Sequence, residues 1–320
     1  YFIFLFFPFL FSCNPTSTIK INGSTMGTTY EVTIKNCYSS IIEIKNDIDS
    51  LLVDINNVFS AYIPNSEISL INNSSLINIV LSDDFEYVLS KALFYCDLSE
   101  GLYDITVNPL VELWGFGKRD ISYIPSNSEI KNKLKKIGYE KIVYKDKILY
   151  NKDNIQFDLN SIAKGYAVDR IYEYIINKGF NEFLVEIGGE VRSSSNDRGW
   201  VIGIQDPKSD SIIKKIKLKN KSLATSGTYN NYFIHKGVEY SHIINPKTGY
   251  PFKHRIISAS IIADKCIDAD ALATLAMTMI PSDVIDIVNR YKGIDCYILE
   301  MSDDGTVIEF TSNSFKDFIF

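Results

Sequence analysis

The chain has 320 residues, 46% of them hydrophobic and 22% charged, with a formal net charge of −6. That balance describes a folded globular protein and excludes an intrinsically disordered one. The two signs are interspersed and no Lys/Arg block stands out, which argues against a nucleic-acid partner; the length suits one large domain or two joined lobes.

Residues 1–11 are almost wholly apolar and run into Ser12-Cys13. The run is too short to span a bilayer and reads as the apolar core of a secretory signal. Leu10-Phe11-Ser12-Cys13 resembles a bacterial lipobox, whose Cys becomes the lipidated first residue. An ordinary signal with an incidental Cys, or an uncleaved anchor, also fits the run. The expectation is a signal and lipobox over 1–13, a folded domain over 20–320, and a lipoprotein of the cell envelope held to the membrane through Cys13 and facing the periplasm. Of the remaining cysteines, Cys37, Cys96, Cys266 and Cys296, none forms a Cys-x-x-Cys pair, so buried free thiols are expected.

Along the chain, a Gly-rich turn at Gly23–Gly27 precedes a strand over Tyr30–Ile34. Ile41, Ile44, Ile48, Leu51, Leu52, Ile55 and Phe59 recur at helical spacing and predict an amphipathic helix over Ile41–Phe59. A second helix is predicted over Phe85–Leu98, stopped near Gly101, and a short polar one over Ser128–Ile137. Alternation predicts strands at Lys141–Tyr144, Ile148–Tyr150 and Ile155–Leu159. A helix follows at once, with Ile162, Ala163, Tyr166, Ala167, Ile171, Tyr174 and Ile175 on its apolar face and Gly179 at its end. Phe183–Ile187 reads as a buried strand ending in Gly188-Gly189; strands then dominate to about Ile262, and Asp268–Met279 begins a helix. Strands and helices mix without a regular βαβ period, which predicts an α+β fold.

Three constellations bear chemistry. Asp158 to Tyr166 lies where a strand passes into a helix, and free N–H groups with the positive end of the dipole suit phosphate there. Lys164 sits near that start, where a bound anion would offset its charge; a solvated Lys164 with Asn160 or Ser161 as cap fits the pattern equally. Asp270 and Thr274 are i and i+4 on a helix and face the same way. A carboxylate and a hydroxyl one turn apart suit a hard cation such as Mg²⁺, which completes its shell with water and phosphates. Alternatively, Asp268 caps that helix and Thr274 packs. Finally, Ala224–Tyr229 leads to Ser241-His242 and the turn Asn245-Pro246-Lys247-Thr248-Gly249-Tyr250-Pro251. His242 is one of three His and can act as a base near neutral pH, or serve as a structural hydrogen-bonder. Gly188-Gly189-Glu190 is a further place where backbone could approach a ligand.

Taken in order, these motifs resemble the ApbE family, the FAD:protein FMN transferases. The resemblance runs from about Gly23 to Met279. It includes Gly23 to Tyr30, Phe59 to Tyr62, Tyr103 to Leu110, Leu113 to Gly117, Asp158 to Tyr166, Glu186 to Glu190, Ala224 to Gly227, His242 to Pro251 and Asp268 to Thr274. The resemblance implies an α+β, mixed-sheet, two-lobed fold with the active site in the cleft between lobes. It implies that Met26, Tyr62, Tyr103 and Asp104 line the FAD pocket and that Asp158 and Lys164 hold the nucleotide. It further implies that the Ser161 carbonyl, Asp270 and Thr274 bind Mg²⁺, and that His242 and Asp270 serve catalysis, His242 beside the diphosphate as proton acceptor. The implied reaction transfers FMN from FAD to a Thr or Ser hydroxyl of a partner, with AMP released; subunits of respiratory flavoprotein complexes are the implied acceptors. Asn245 stands where the family usually has Asp, and Asn160 where Gly is common. Two rivals are a FAD pyrophosphatase on the same scaffold, against which an aromatic Tyr62 speaks, and a flavin-binding lipoprotein without chemistry.

Overall fold

The computed structural model describes residues 18–37, 39–117, 123–209, 211–228, 232–253 and 255–320. The signal, the lipobox and Cys13 lie outside them. The first described element is a hairpin of β1 (Thr18–Thr25) and β2 (Thr28–Lys35). Its two-residue turn puts both Met26 and Gly27 at positive φ, 50° and 75°, as a type I′ turn requires. Helices α1 (Ile41–Phe59) and α2 (Glu67–Asn73) follow, then β3 (Asn78–Val80), α3 (Asp83–Leu98), α4 (Asn108–Leu113) and α5 (Asn127–Leu134). Strands β4 (Tyr144–Lys145) and β5 (Ile148–Tyr150) join β3 in a small sheet. Helix α6 (Asn160–Asn177) leads to the hairpins β6 (Phe183–Ile187)–β7 (Glu190–Ser194) and β8 (Trp200–Gln205)–β9 (Ile212–Leu218). After β10 (Ser222–Gly227) come a further hairpin, β11 (Tyr232–His235)–β12 (Val238–Ser241), and β13 (Ile256–Ala263). Helices α7 (Cys266–Ala276) and α8 (Pro281–Arg290) precede β14 (Asp295–Met301) and β15 (Val307–Thr311).

Eight strands form the main sheet in the order β1-β2-β6-β7-β10-β13-β14-β15. The fold is α+β as expected, but every ladder among the described residues is antiparallel, so the sheet is not mixed in strand direction; hairpins link β1–β2, β6–β7 and β14–β15, and longer connections join the other neighbours. One face packs on α1, α3, α6 and α7 around the principal core. Helix α7 is buried almost all round, because its Ala, Ile and Leu leave no polar stripe. The other face, at Leu223, Ile262, Tyr297 and Leu299, packs against the β8–β9 hairpin through Ile204, Ile216 and Leu218. A third cluster joins α4, α5 and the β11–β12 hairpin around Trp114, whose ring stacks on Tyr240 at 5.6 Å.

Two predicted elements differ, and strand β1 is among those not foreseen. Of Lys141–Tyr144, Lys141 ends a 3₁₀ helix (Tyr139–Lys141), Ile142 and Val143 are irregular, and strand begins only at Tyr144. Ile155–Leu159 is no strand: Ile155, Phe157 and Leu159 are buried in alternation, but the Asn72 side chain takes the place of a ladder, donating to Phe157 O at 2.8 Å and accepting from Phe157 N at 2.7 Å.

Candidate active site

A cavity of 1570 Å³ is lined by residues of all three clusters, among them Tyr103, Leu223 and Ile244. Met26, Tyr62, Tyr103, Asp104 and Asp158 line it, and so do Ser161, Lys164, His242, Asp270 and Thr274. All ten residues singled out from the sequence therefore meet in one place, although the chain separates them by up to 248 positions (274 minus 26).

The start of α6 forms one wall. Leu159 occupies the cap position without a side-chain bond, and Asp158 Oδ1 accepts from Asn160 N at 2.9 Å. Asp158 thus takes the capping role expected of Asn160 or Ser161. Tyr103, itself buried, places its hydroxyl 2.8 Å from Ser161 Oγ. Asp104 is turned into its own loop: Oδ1 accepts from Thr106 N and Oγ1 at 2.8 and 2.7 Å, and Oδ2 from Tyr139 N at 3.1 Å. Its chemistry is the shaping of the 104–107 turn as well as any contact with ligand. Tyr62 is 69% exposed at the cavity mouth, and the His242 ring meets Phe116 edge-on at 6.3 Å.

The charged centre lies where α6, α7 and β7 meet. Lys164 Nζ is 2.5 Å from Glu190 Oε1. Glu190 is 2% exposed, and its Oε2 has no hydrogen-bond partner among the described residues. Burial first, then the charge of Asp270, pushes the Glu190 carboxyl up to about 8 against the pull of Lys164. Asp270 is also raised by burial, with Lys164 and the Gly165 N–H pulling the other way. Burial depresses Lys164, but the charges of Glu190 and Asp270 outweigh it and the net direction is up. Asp270 Oδ2 accepts from Gly165 N at 2.8 Å. In a regular helix that N–H serves the Ser161 carbonyl, so sharing it with Asp270 leaves acceptor capacity on Ser161 O. Thr274 Oγ1 lies 3.2 Å from Ser226 Oγ.

These groups fit a hard cation. Two buried carboxylates face one ammonium, and both have their charged forms disfavoured by burial. A divalent ion beside Asp270, the Thr274 hydroxyl and the Ser161 carbonyl would reverse that penalty.

The ApbE family is matched over residues 26–298. The FAD:protein FMN transferase of Vibrio cholerae is 34% identical over 318 residues, covering 95% of this chain and 94% of its own. This chain belongs to the ApbE family. The corresponding enzyme of Haemophilus influenzae is 32% identical over 94% of this chain and 91% of its own. Among solved structures, the flavin transferase ApbE from Vibrio cholerae superposes with a TM-score of 0.87 at 32% identity, covering 95% of this chain and all of that one. The apo flavinyl transferase ApbE of Pseudomonas stutzeri gives 0.85 at 25% identity, covering 95% and 97%.

Within this ApbE chain, Asn245 is accounted for. Its Oδ1 accepts from Lys247 N at 2.8 Å and Thr248 N at 3.2 Å, closing the turn that an Asp would close in the same way. The turn delivers the Gly249 carbonyl to Trp114 Nε1 at 2.8 Å.

Asp268 is not the cap of α7. Lys265 holds the cap position, and the amides of Cys266 and Ile267 donate to Asp169 of α6 at 2.9 and 3.0 Å. Asp268 instead accepts from Lys91 at 2.8 Å and Tyr95 OH at 2.7 Å, tying α3 to α7.

Two site residues escaped the sequence reading. Glu190 was noted only for its glycine neighbours. Asp169 is outside the cavity lining and supports it through the α7 amides; its signal in retrospect is a carboxylate beside Arg170, three residues after Tyr166. The four described cysteines are buried and free, as expected.

Proposed function

We propose that this chain is a FAD:protein FMN transferase that uses Mg²⁺ and releases AMP. The relatives it resembles along nearly its whole length bear that name, and the observation that carries the reading is the gathering of Lys164, Glu190, Asp270, Thr274 and His242 around one cavity. Lys164 and the α6 start bind the diphosphate, the lysine as a point charge and the helix through its dipole. Met26, Tyr62 and Tyr103 provide surface for the flavin. The Ser161 carbonyl, Asp270 and Thr274 would hold Mg²⁺, which when bound would neutralise charge on the phosphates. The acceptor Ser or Thr oxygen bonds to the FMN phosphorus in line, the bond to the AMP phosphate breaks, and His242 takes the hydroxyl proton. Orientation and electrostatics supply most of the acceleration.

The test uses purified protein, FAD and Mg²⁺ with an envelope extract from cells lacking this gene. A covalently fluorescent protein band that depends on both FAD and Mg²⁺ supports transfer. Free FMN and AMP with no labelled protein indicates a pyrophosphatase, and intact FAD throughout indicates a carrier. Localisation rests on the apolar run 1–11 and Ser12-Cys13: the protein is proposed to be a lipoprotein of the envelope, and Cys13→Ala is expected to move it to the soluble fraction. The acceptor is proposed to be a respiratory flavoprotein subunit.

A further inference from the structure

Helix α4 ends in a Schellman motif. Gly115 N donates to Glu112 O at 3.3 Å and Phe116 N to Val111 O at 3.0 Å, with Gly115 at a φ of 82°. Val111 and Phe116, the two ends of the longer loop, both line the cavity. The order of Leu113-Trp114-Gly115-Phe116 thus has a mechanical reason: a fully buried ring closes the helix, a left-handed residue stops it, and the next ring reaches the cavity wall.

These two rings hold the segment that bears His242. Strands β11 and β12 pair Phe233 with Tyr240, and their rings stack at 5.2 Å. Trp114 stacks on Tyr240, two residues before His242, at 5.6 Å. Its Nε1 donates to Gly249 O, seven residues after His242, at 2.8 Å. The backbone on both sides of His242 is therefore tied to one indole. Phe116 packs on Phe233 at 5.4 Å and meets the His242 ring itself at 6.3 Å and 67°. Edge-to-face pairs are favourable at centroid separations of ~4.5–7 Å. Trp114 thus sets where the His242 backbone runs, and Phe116 packs the imidazole that projects from it into the cavity.

We infer that Phe116 is a positioning residue for His242: its ring holds the imidazole at the angle from which a ring nitrogen takes the proton of the acceptor hydroxyl. The inference rests on the transferase reading with His242 as proton acceptor. In that step the hydroxyl O–H bond breaks, its proton passes to His242, its oxygen bonds to the FMN phosphorus, and AMP leaves with the electron pair of the broken P–O bond. Phe116 exchanges no proton and acts only through the imidazole. Proton transfer needs the base within ~2.6–3.2 Å of the hydroxyl, and misplacing a reacting group by ~1 Å costs about 100-fold in rate.

The test compares full-length wild type, Phe116→Leu and Phe116→Tyr with FAD, Mg²⁺ and the envelope extract of cells lacking this gene, following the fluorescent label. Leucine keeps apolar bulk without a ring, and tyrosine keeps the ring. Phe116→Met, also ringless, gives a second reading, and urea midpoints establish that each variant is folded in the assay. Phe116→Leu and Phe116→Met are expected to lower the labelling rate at saturating FAD by roughly 10–100-fold, while the FAD dissociation constant stays within about twofold of wild type. Their residual rates should slow more in D₂O than the wild-type rate does, because proton transfer has become limiting. Phe116→Tyr should keep most of the rate. A dissociation constant that rises in step with the lost rate would make Phe116 flavin-binding surface and overturn the inference. So would an unchanged rate in the ringless variants, an unchanged solvent isotope effect, or equal losses with leucine and tyrosine. A full rate in His242→Asn would instead remove the proton role of His242, and absence of label with wild type would remove the transferase reading.

Discussion

The backbone N–H of Gly165 donates to Asp270 Oδ2 at 2.8 Å, across the contact between α6 and α7. The approach is so close that a Cβ at position 165 would lie 2.4 Å from the Cys266 carbonyl oxygen and 2.7 Å from Asp270 Cβ. Neither neighbour is the far end of a flexible side chain, so the helices themselves would have to part. Gly165→Ala is expected to lose ~1–3 kcal/mol of stability by overpacking and to shift Asp270 away from Ser161. Urea midpoints and calorimetric Mg²⁺ titration measure the two effects. An unchanged midpoint would show that the helices can separate freely.

Asp169 fixes the same contact from the other side. It accepts from the first two amides of α7 and from Arg192 Nη1 at 2.6 Å, all in a buried setting. Asp169→Ala leaves a guanidinium and two helix-end N–H groups unmatched, and the expected loss is ~3–5 kcal/mol. Asp169→Asn retains an acceptor for the amides and is expected to fall between the two. Equal midpoints for the Ala and Asn variants would remove the helix-end bonds from the account.

These relationships explain what was legible in the sequence. Helix α1 was read with its observed bounds because Ile44, Ile48, Leu52, Ile55 and Phe59 repeat over about four turns and are all buried. The site was legible as motifs because Asp270 and Thr274 are one turn apart on one helix. The pairing of Lys164 with Glu190 crosses 26 positions and that of Asp169 with the α7 amides 97 and 98; no local period encodes either. Ile155–Leu159 shows the converse: the alternation of burial was read correctly, but a side-chain amide supplied the bonds assigned to a strand neighbour.

Asp270 and Asp268 should separate chemistry from stability. Asp270→Ala loses the Gly165 bond, worth ~1 kcal/mol, but also removes a carboxylate whose charge the site disfavours. Its net effect on stability without metal is expected to stay within about 1 kcal/mol, while FMN transfer is abolished. Asp268→Ala takes the acceptor from the buried Tyr95 hydroxyl, at ~1–3 kcal/mol, and should leave transfer largely intact. Retained transfer in the Asp270 variant would remove it from the metal site.

Glu190 gives the metal-free protein a pH dependence. Its carboxyl sits at about 8 in the folded chain against an ordinary 4.5. Between those values the folded state holds a proton that the unfolded state has released. Stability therefore falls as pH rises through that window. Asp270, also raised by burial, acts in the same direction at the lower end. Melting temperatures in a chelator at about pH 5.5 and about pH 8.5 should differ, the lower pH being the more stable. Glu190→Gln should flatten the difference. An equal slope in wild type and variant would place the titration elsewhere.

Lys164 bears two roles that one substitution cannot separate. Its ammonium pairs with Glu190 Oε1 at 2.5 Å, and its side chain, 31% exposed, is also the cation on the cavity wall. Lys164→Ala removes the phosphate contact and leaves Glu190, already short of a hydrogen-bond partner at Oε2 among the described residues, with no donor at either oxygen in this pair. The expected stability loss is ~1–3 kcal/mol, limited because a buried carboxyl can protonate. FAD affinity should fall by roughly 10–100-fold, the weight of one charge-assisted hydrogen bond. The double variant Lys164→Met with Glu190→Leu replaces the pair by apolar groups and should recover most of the stability. It should not recover FAD affinity, because no cation remains to meet the diphosphate. Urea midpoints and FAD titration calorimetry on both variants decide the matter. Recovery of affinity in the double variant would make Lys164 only the counterion of Glu190, and an unchanged dissociation constant in Lys164→Ala would remove it from the nucleotide site.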